Sequence, residues 1–198
     1  MTSHPLAHIR GFIFDLDGTL VTSKLDFVYL RTQLSCPASV DILQFIAGLP
    51  NKDQVSANKI VEDYELSDAH DALWIEGAEQ LIRALHHKGL PTAIVTRNSL
   101  PATELKLKHH STLFSPILTR HDAPPKPDPS ALLTIAQDWQ LPPSQLAYVG
   151  DYVYDLEAAK NAGMLACLFA PTALPGFAHQ ADWVFSHFAE FEMAVSAG

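Results

Sequence analysis

Positive charge is scarce in this chain: thirteen Lys and Arg stand against twenty-two Asp and Glu, a formal charge of −9. That balance provides no electrostatic footprint for nucleic acid or for an anionic membrane surface. Long apolar runs are missing too, the longest being of strand length and far short of a membrane span. Cysteine is nearly absent, and Cys36 and Cys167 lie far apart in apolar contexts, so buried reduced thiols are expected rather than a disulfide. No basic, apolar, small-residue leader is read at the start, and a cytoplasmic protein is expected. There is no internal repeat and no low-complexity tract. The 198 residues suffice for one medium domain, or for a core carrying a modest insertion.

From about residue 76 onward, strand-like segments alternate with helical patterns, which predicts βαβ units and a parallel sheet. Ala78, Leu81, Ile82 and Leu85 recur at helical spacing before Gly89,. Strands are expected at 90–96, 116–119, 146–151 and 165–170, with an edge strand at 181–185. Helices are expected near 100–109, at 127–138 with Asp128 as cap and Pro129 in the first turn, at 154–161, and at 189–195. Residues 22–75 break the rhythm. Helical patterns at 27–34, 40–46 and 55–66 are separated by Pro37 and by Pro50-Asn51, with no convincing strand. The expected division is therefore a core of 1–21 and 76–198 and a small helical unit of 22–75.

The chemistry is expected at strand ends. Gly11-Phe12-Ile13-Phe14-Asp15-Leu16-Asp17-Gly18-Thr19-Leu20 carries a buried-strand pattern into two carboxylates one residue apart, at the carboxyl end of the strand where open α/β sheets form ligand crevices. Side chains two apart on a strand point the same way, so Asp15 and Asp17 can face one ligand. A solvated Asp-Gly turn is the plainer alternative for this segment taken alone. Three more strand ends add other groups. Thr96 closes Ala93-Ile94-Val95 and offers a hydroxyl to an anion, or else caps a helix. Lys126 is bracketed by prolines in Pro124-Pro125-Lys126-Pro127-Asp128-Pro129, which restricts where it points. Gly150-Asp151-Tyr152-Val153-Tyr154-Asp155 sets two acids four residues apart across a strand-to-helix junction.

In that order, Asp15-Leu16-Asp17-Gly18-Thr19, Thr96, Lys126, and Gly150-Asp151 with Asp155, the chain resembles the haloacid dehalogenase superfamily hydrolases, and its helical insertion resembles the C1 cap of the phosphoglycolate phosphatase-like branch. The resemblance implies a Rossmann-like doubly wound parallel α/β core with a small α-helical cap after the first strand. It implies a Mg²⁺-dependent phosphatase acting on a small phosphorylated metabolite through an aspartyl phosphate, as monomer or homodimer. A hexose-phosphate mutase and a noncatalytic binding module on the same fold are the alternatives. In this reading Asp15 is the nucleophile, with Mg²⁺ held by the carboxylates of Asp15 and Asp151 and the main-chain carbonyl of Asp17. Lys126 and Thr96 hold phosphoryl oxygens, and Asp155 orients Lys126 or a metal-bound water. Asp17 is the general acid, which sets the chain apart from dehalogenases and phosphonatases.

Elementary acid–base chemistry makes the two aspartates unequal. At an ordinary pKa near ~3.9, Asp15 is ionised at neutral pH, whereas only roughly one Asp17 in a thousand carries the proton a general acid needs. Burial and neighbouring carboxylates are expected to raise the Asp17 pKa, and Mg²⁺ and Lys126 to oppose them. For the leaving group, Arg97 and Asn98 are the candidate substrate contacts beside Thr96. Arg97 is a candidate for a carboxylate or second phosphate, or is simply a surface arginine; Lys24 and Arg31 are weaker candidates of the same kind. His86-His87 and His109-His110 are not read as metal ligands, because adjacent residues on a helix diverge.

Overall fold

The computed structural model describes residues 4–196; the outermost residues of the expected core division, 1–3 and 197–198, lie outside them. In chain order the regular elements are β1 Gly11–Phe14, α1 Phe27–Leu34, α2 Ile42–Ala47, α3 Asn51–Asp71, α4 Ala78–His87, β2 Thr92–Val95 and α5 Leu100–Leu107. They continue with β3 Ile117–Leu118, α6 Ser130–Asp138, β4 Leu146–Gly150, α7 Val153–Ala162, β5 Leu165–Phe169, β6 Trp183–Phe185 and α8 Phe188–Ser196. All six strands are parallel, in the order β3-β2-β1-β4-β5-β6. From β1 the chain builds outward to β2 and β3 on one side, then crosses to β4, β5 and β6 on the other. That reversal leaves a crevice beyond the carboxyl ends of β1 and β4, where α/β sheets bind ligands.

The sheet is buried on both faces, which is why its strands read as continuous apolar runs. Phe12, Phe14, Val149 and Phe169 pack with Leu81 and Ile82 of α4 and Phe188 and Phe191 of α8. Ile13, Val95, Tyr148 and Leu168 face the other way, onto α6 and α7. Neighbours such as Ile13 and Phe14 fall on opposite faces because strand side chains alternate.

Between β1 and α4 the three helices α1, α2 and α3 gather a small apolar cluster of their own, with Leu30, Ile42, Ile46, Ala57 and Val61 at its centre. The chain enters and leaves this unit side by side. The Thr22 N–H donates to Leu73 O at 2.8 Å and the Ile75 N–H to Leu20 O at 2.9 Å. Asp26 caps α1 and Asp41 caps α2, each carboxylate accepting two backbone N–H bonds. The pattern expected over 40–46 therefore begins at Ile42, with Asp41 as its cap. α3 runs well past the expected 55–66 at both ends. α6 starts at Ser130 with Pro129 at its N-cap, and Asp128 accepts from the Ser130 N–H at 2.9 Å from outside the helix. Among the described residues no helix is long and apolar enough to cross a membrane. Cys36 and Cys167 are both buried free thiols.

Candidate active site

Four strand ends converge on one point. Asp15 follows β1, Thr96 follows β2, Lys126 lies in the loop after β3, and Asp151 follows β4. Lys126 Nζ is 2.7 Å from Asp15 Oδ1 and 2.6 Å from Asp155 Oδ1, with all three side chains largely buried. The Tyr148 hydroxyl lies 3.2 Å from the same Asp155 oxygen and 2.9 Å from Val95 O. Asp155 Oδ2 accepts the Tyr152 N–H at 3.0 Å at the start of α7. Both oxygens of Asp155 are thus engaged by the protein. Asp151 receives one side-chain hydrogen bond, from Thr19 Oγ1 at 3.4 Å. Oxygens of Asp15, Asp151 and Asp155 all lie within 4.8 Å of one another.

Two glycines make this crowding possible. A Cβ on Gly150 would sit 2.2 Å from Asp155 Cγ, and one on Gly18, whose φ is +74°, would sit 2.4 Å from Asp151 Oδ2. Only hydrogen fits at either position, and at Gly18 the left-handed backbone reinforces the requirement.

Three carboxylates share one ammonium here, and the protonation equilibria respond. Burial, followed by the charges of Asp155 and Asp151, pushes the Asp15 carboxyl well above the usual range, with Lys126 pulling the other way. Burial and Asp155 push Asp151 up as well. Burial works against the charge of Lys126, but Asp15 and Asp155 outweigh it and hold its pKa above the ordinary lysine value. The ordinary aspartate value expected for Asp15 therefore does not survive its surroundings.

Asp17 turns away from this cluster. Its Oδ1 lies 2.5 Å from Lys106 Nζ and its Oδ2 accepts from Asn98 Nδ2 at 2.7 Å. The cation beside Asp17 is therefore Lys106 rather than Lys126. Lys106 is fully buried and also reaches Asp68 Oδ2 of α3 at 2.8 Å. Asp68 in turn accepts from Ser23 Oγ at 2.9 Å and from the Lys24 N–H at 2.6 Å. Glu65, one turn earlier on α3, accepts from the Ser99 N–H at 3.0 Å and from Arg120. Two acids of one insertion helix thus reach into the core side of the crevice.

Thr96 Oγ1 is buried and accepts the Asn98 N–H at 3.2 Å. Arg97 donates to Asp41 Oδ2 at 2.6 Å and to Lys126 O at 3.3 Å, with its guanidinium 5.0 Å above the Tyr154 ring. Arg31 Nη1 is turned onto the carbonyls of Pro37, at 2.8 Å, and Val40. Lys24 lies 3.7 Å from Asp71 in an exposed pair. The histidines lie elsewhere: His86 meets Thr92 and Leu113 O, and His110 meets Glu79. The rings of His109 and His110 approach to 4.1 Å on a 3₁₀ turn, against the divergence expected of an α-helix.

Lys106, Asp68, Glu65, Arg120 and Asp41 were not among the residues expected from the sequence. Their signal is one of register. Glu65 falls in the same i+4 row as the buried Ala57, Val61 and Ala69, and Lys106 lies on the buried stripe of α5 with Ala102, Thr103 and Leu107. A charged residue in a core-facing row calls for a buried partner.

Above these residues, between the insertion and the sheet edge, is a cavity of about 540 Å³ reached by Asp15, Asp17, Thr96, Lys126 and Asp151. A parallel sheet with a carboxylate–lysine cluster at its switch point, overhung by helices, defines a Rossmann-like α/β protein with a polar site at its sheet edge,. Residues 12–169 match the model of the haloacid dehalogenase-like hydrolases, and the chain belongs to that family. It is 30% identical over 188 residues to a haloacid dehalogenase-like hydrolase domain-containing protein of Arabidopsis thaliana, covering 89% of this chain and 77% of that one. To a phosphoglycolate phosphatase of Escherichia coli it is 28% identical over 199 residues, covering 78% and 79%. Its fold is similar to the crystal structure of a predicted phosphoglycolate phosphatase from Haemophilus somnus, with a TM-score of 0.73, 21% identity, and coverage of 93% and 97%.

Proposed function

We propose that this chain is a Mg²⁺-dependent phosphatase that hydrolyses a small-molecule phosphate monoester through an aspartyl phosphate on Asp15, with residues 22–75 acting as its cap. The observation that carries the reading is the meeting of Asp15, Lys126 and Asp151 beneath the cavity between the insertion and the sheet edge. The phosphatase names of relatives such as the Escherichia coli enzyme support it.

The donor set suits a hard divalent ion, since it consists of oxygen alone and its buried carboxylates outnumber the cation between them. Asp15 and Asp151 retain lone pairs for the ion, together with the main-chain carbonyl of Asp17. Asp155 has both oxygens engaged and serves as the residue that positions Lys126. Mg²⁺ held there would supply the positive charge that lets an anionic nucleophile meet an anionic phosphoryl group, and would keep Asp15 ionised. Asp15 attacks phosphorus as the ester oxygen departs, and Asp17, which lines the cavity, delivers a proton to that oxygen after exchanging its Lys106 contact for a proton. Water, giving a proton back to Asp17, then attacks phosphorus, and the P–O bond to Asp15 breaks to release phosphate and restore the carboxylate. Lys126 and the Thr96 hydroxyl balance charge on the phosphoryl oxygens, a contribution that is larger for side chains as buried as these than for exposed ones,.

Release of inorganic phosphate from p-nitrophenyl phosphate tests the reading: activity is expected with Mg²⁺ and none with a chelator. Purified protein that stays inert with Mg²⁺ across a broad panel of phosphates would instead favour a noncatalytic binding module.

A further inference from the structure

The wall that would face a leaving group is where this chain's own residues say most. Among the described residues, three cations line the cavity: Lys126, Arg97 and Arg31. Lys126 sits between Asp15 and Asp155 at the phosphoryl end. Arg31 is turned toward the loop carbonyls of Pro37 and Val40. Arg97 is occupied on three sides, by the Asp41 carboxylate, the Lys126 carbonyl and the Tyr154 ring. Its side chain is 24% exposed and that of Asp41 16%, so the pair is largely shielded from water. Away from the carboxylates at the strand ends, Ser23 and Glu65 share the wall with apolar and aromatic side chains, chiefly Phe27, Leu30, Ile42 and Tyr152.

Resting on the phosphatase reading, we propose that the chain acts on phosphate monoesters whose leaving group is uncharged and presents an apolar or aromatic face, and that Asp41 determines this specificity. By pairing with Arg97 it removes the one arginine beside the phosphoryl site that a carboxylate or second phosphate could use. An anionic leaving group would have to break a desolvated ion pair and leave Asp41 facing like charge, an arrangement that costs several-fold to many-fold in binding. A leaving group of aromatic or alkyl character instead finds apolar surface and the exposed rings of Phe27 and Tyr152,. Phosphoglycolate, whose leaving alcohol carries a carboxylate, is accordingly a poor substrate.

Asp41→Asn is the discriminating variant. Asparagine is as good an N-cap as aspartate, so α2 keeps its two capping bonds, while the amide cannot accept from Arg97 as the carboxylate does. The probes are benzyl phosphate and its 4-carboxy derivative, which share one alcohol and differ by one charge, with phosphoglycolate as a third substrate. Wild-type kcat/KM is expected to favour benzyl phosphate by at least about tenfold. Asp41→Asn should narrow or invert that ratio, and Asp41→Asn/Arg97→Gln should restore it, because the gain runs through the freed guanidinium. A wild-type preference for the carboxylated ester or for phosphoglycolate overturns the inference while leaving the phosphatase reading intact, as does a ratio unmoved by Asp41→Asn. Hydrolysis of no phosphate ester at all, p-nitrophenyl phosphate included, overturns the phosphatase reading and this inference with it.

Discussion

Lys106 and Asp17 meet at 2.5 Å, joining an ammonium with no exposure to an acid at the mouth of the crevice. The same ammonium holds Asp68 of the insertion at 2.8 Å. Replacing it leaves two largely desolvated carboxylates without their cation, a situation that costs about 3 kcal/mol. Lys106→Met should therefore lower the free energy of urea unfolding by about that much. Lys106→Met/Asp68→Asn should cost less than the two single changes added together, because it removes one of the orphaned charges. Strict additivity would mean that the two groups do not interact.

Asp68 supplies a pH signature. Burial pushes its carboxyl up, but hydrogen bonds from Lys106, the Lys24 N–H and Ser23, with the Lys106 charge, more than offset this and hold it below the usual value. A carboxyl depressed in the folded state stabilises at pH above its unfolded value of ~3.9, and that contribution disappears as pH falls through the folded value. The stability gap between wild type and Asp68→Asn should thus be full near neutrality and close in strong acid. Urea titrations across the acid range check this; a gap independent of pH would contradict it.

The two aspartates after β1 should fail differently. Asp15→Asn removes the nucleophile and should abolish both turnover and trapped phosphoenzyme. Asp17→Asn removes the proposed proton donor and one charged partner of Lys106 but leaves the nucleophile, and should retain phosphoryl transfer from an activated aryl phosphate, whose leaving group needs little protonation,. Equal and total loss with both variants on that substrate would refute the division of roles.

Metal binding should be visible without turnover. Mg²⁺ is expected to raise the thermal midpoint of the wild type and to do little for Asp151→Asn. Burial and neighbouring carboxylates push Asp15 up to about 8 and Asp151 up to about 7 when no metal is bound. Protons therefore compete with the ion as pH falls, and the shift should be larger near about pH 8.5 than near about pH 6. Differential scanning calorimetry in Mg²⁺ and in chelator measures it.

Gly150 is expected to be intolerant. A methyl carbon there would lie 2.2 Å from Asp155 Cγ, so Gly150→Ala must displace Asp155 and with it Lys126, and kcat should fall by at least about tenfold. Gly163, whose Cβ would meet nothing within 4 Å, serves as the control: its φ of +72° makes Gly163→Ala costly in stability but not in chemistry. Equal losses of kcat at both glycines would count against a site-specific role for Gly150.

Much of this arrangement is legible in the sequence because the sheet is parallel and buried. Each strand is a short apolar run, and three of these runs are followed at the carboxyl end by a residue that reaches the crevice: Asp15, Thr96 and Asp151. The insertion is less legible. Its helices carry mixed faces, and α3 extends to Asn51 and Asp71 through polar residues whose partners belong to another part of the chain. A lysine in the middle of α5 reads as solvated, and only its register beside Ala102, Thr103 and Leu107 says otherwise. Arg97 could be recognised as a residue of interest, but its pairing with Asp41, 56 positions away, is a property of the folded chain alone.

The row of acids on α3 has a consequence for traffic. Glu65 is fastened to Ser99 and Arg120, and Asp68 to Lys106, so the carboxyl-terminal part of this long helix is riveted to the core by charged contacts. Under the proposed function, that stretch of the insertion serves as a wall of the cavity, and opening there would have to break buried ion pairs. Entry to the cavity then falls to the border lined by Phe27 and Tyr152, which are 60% and 53% exposed.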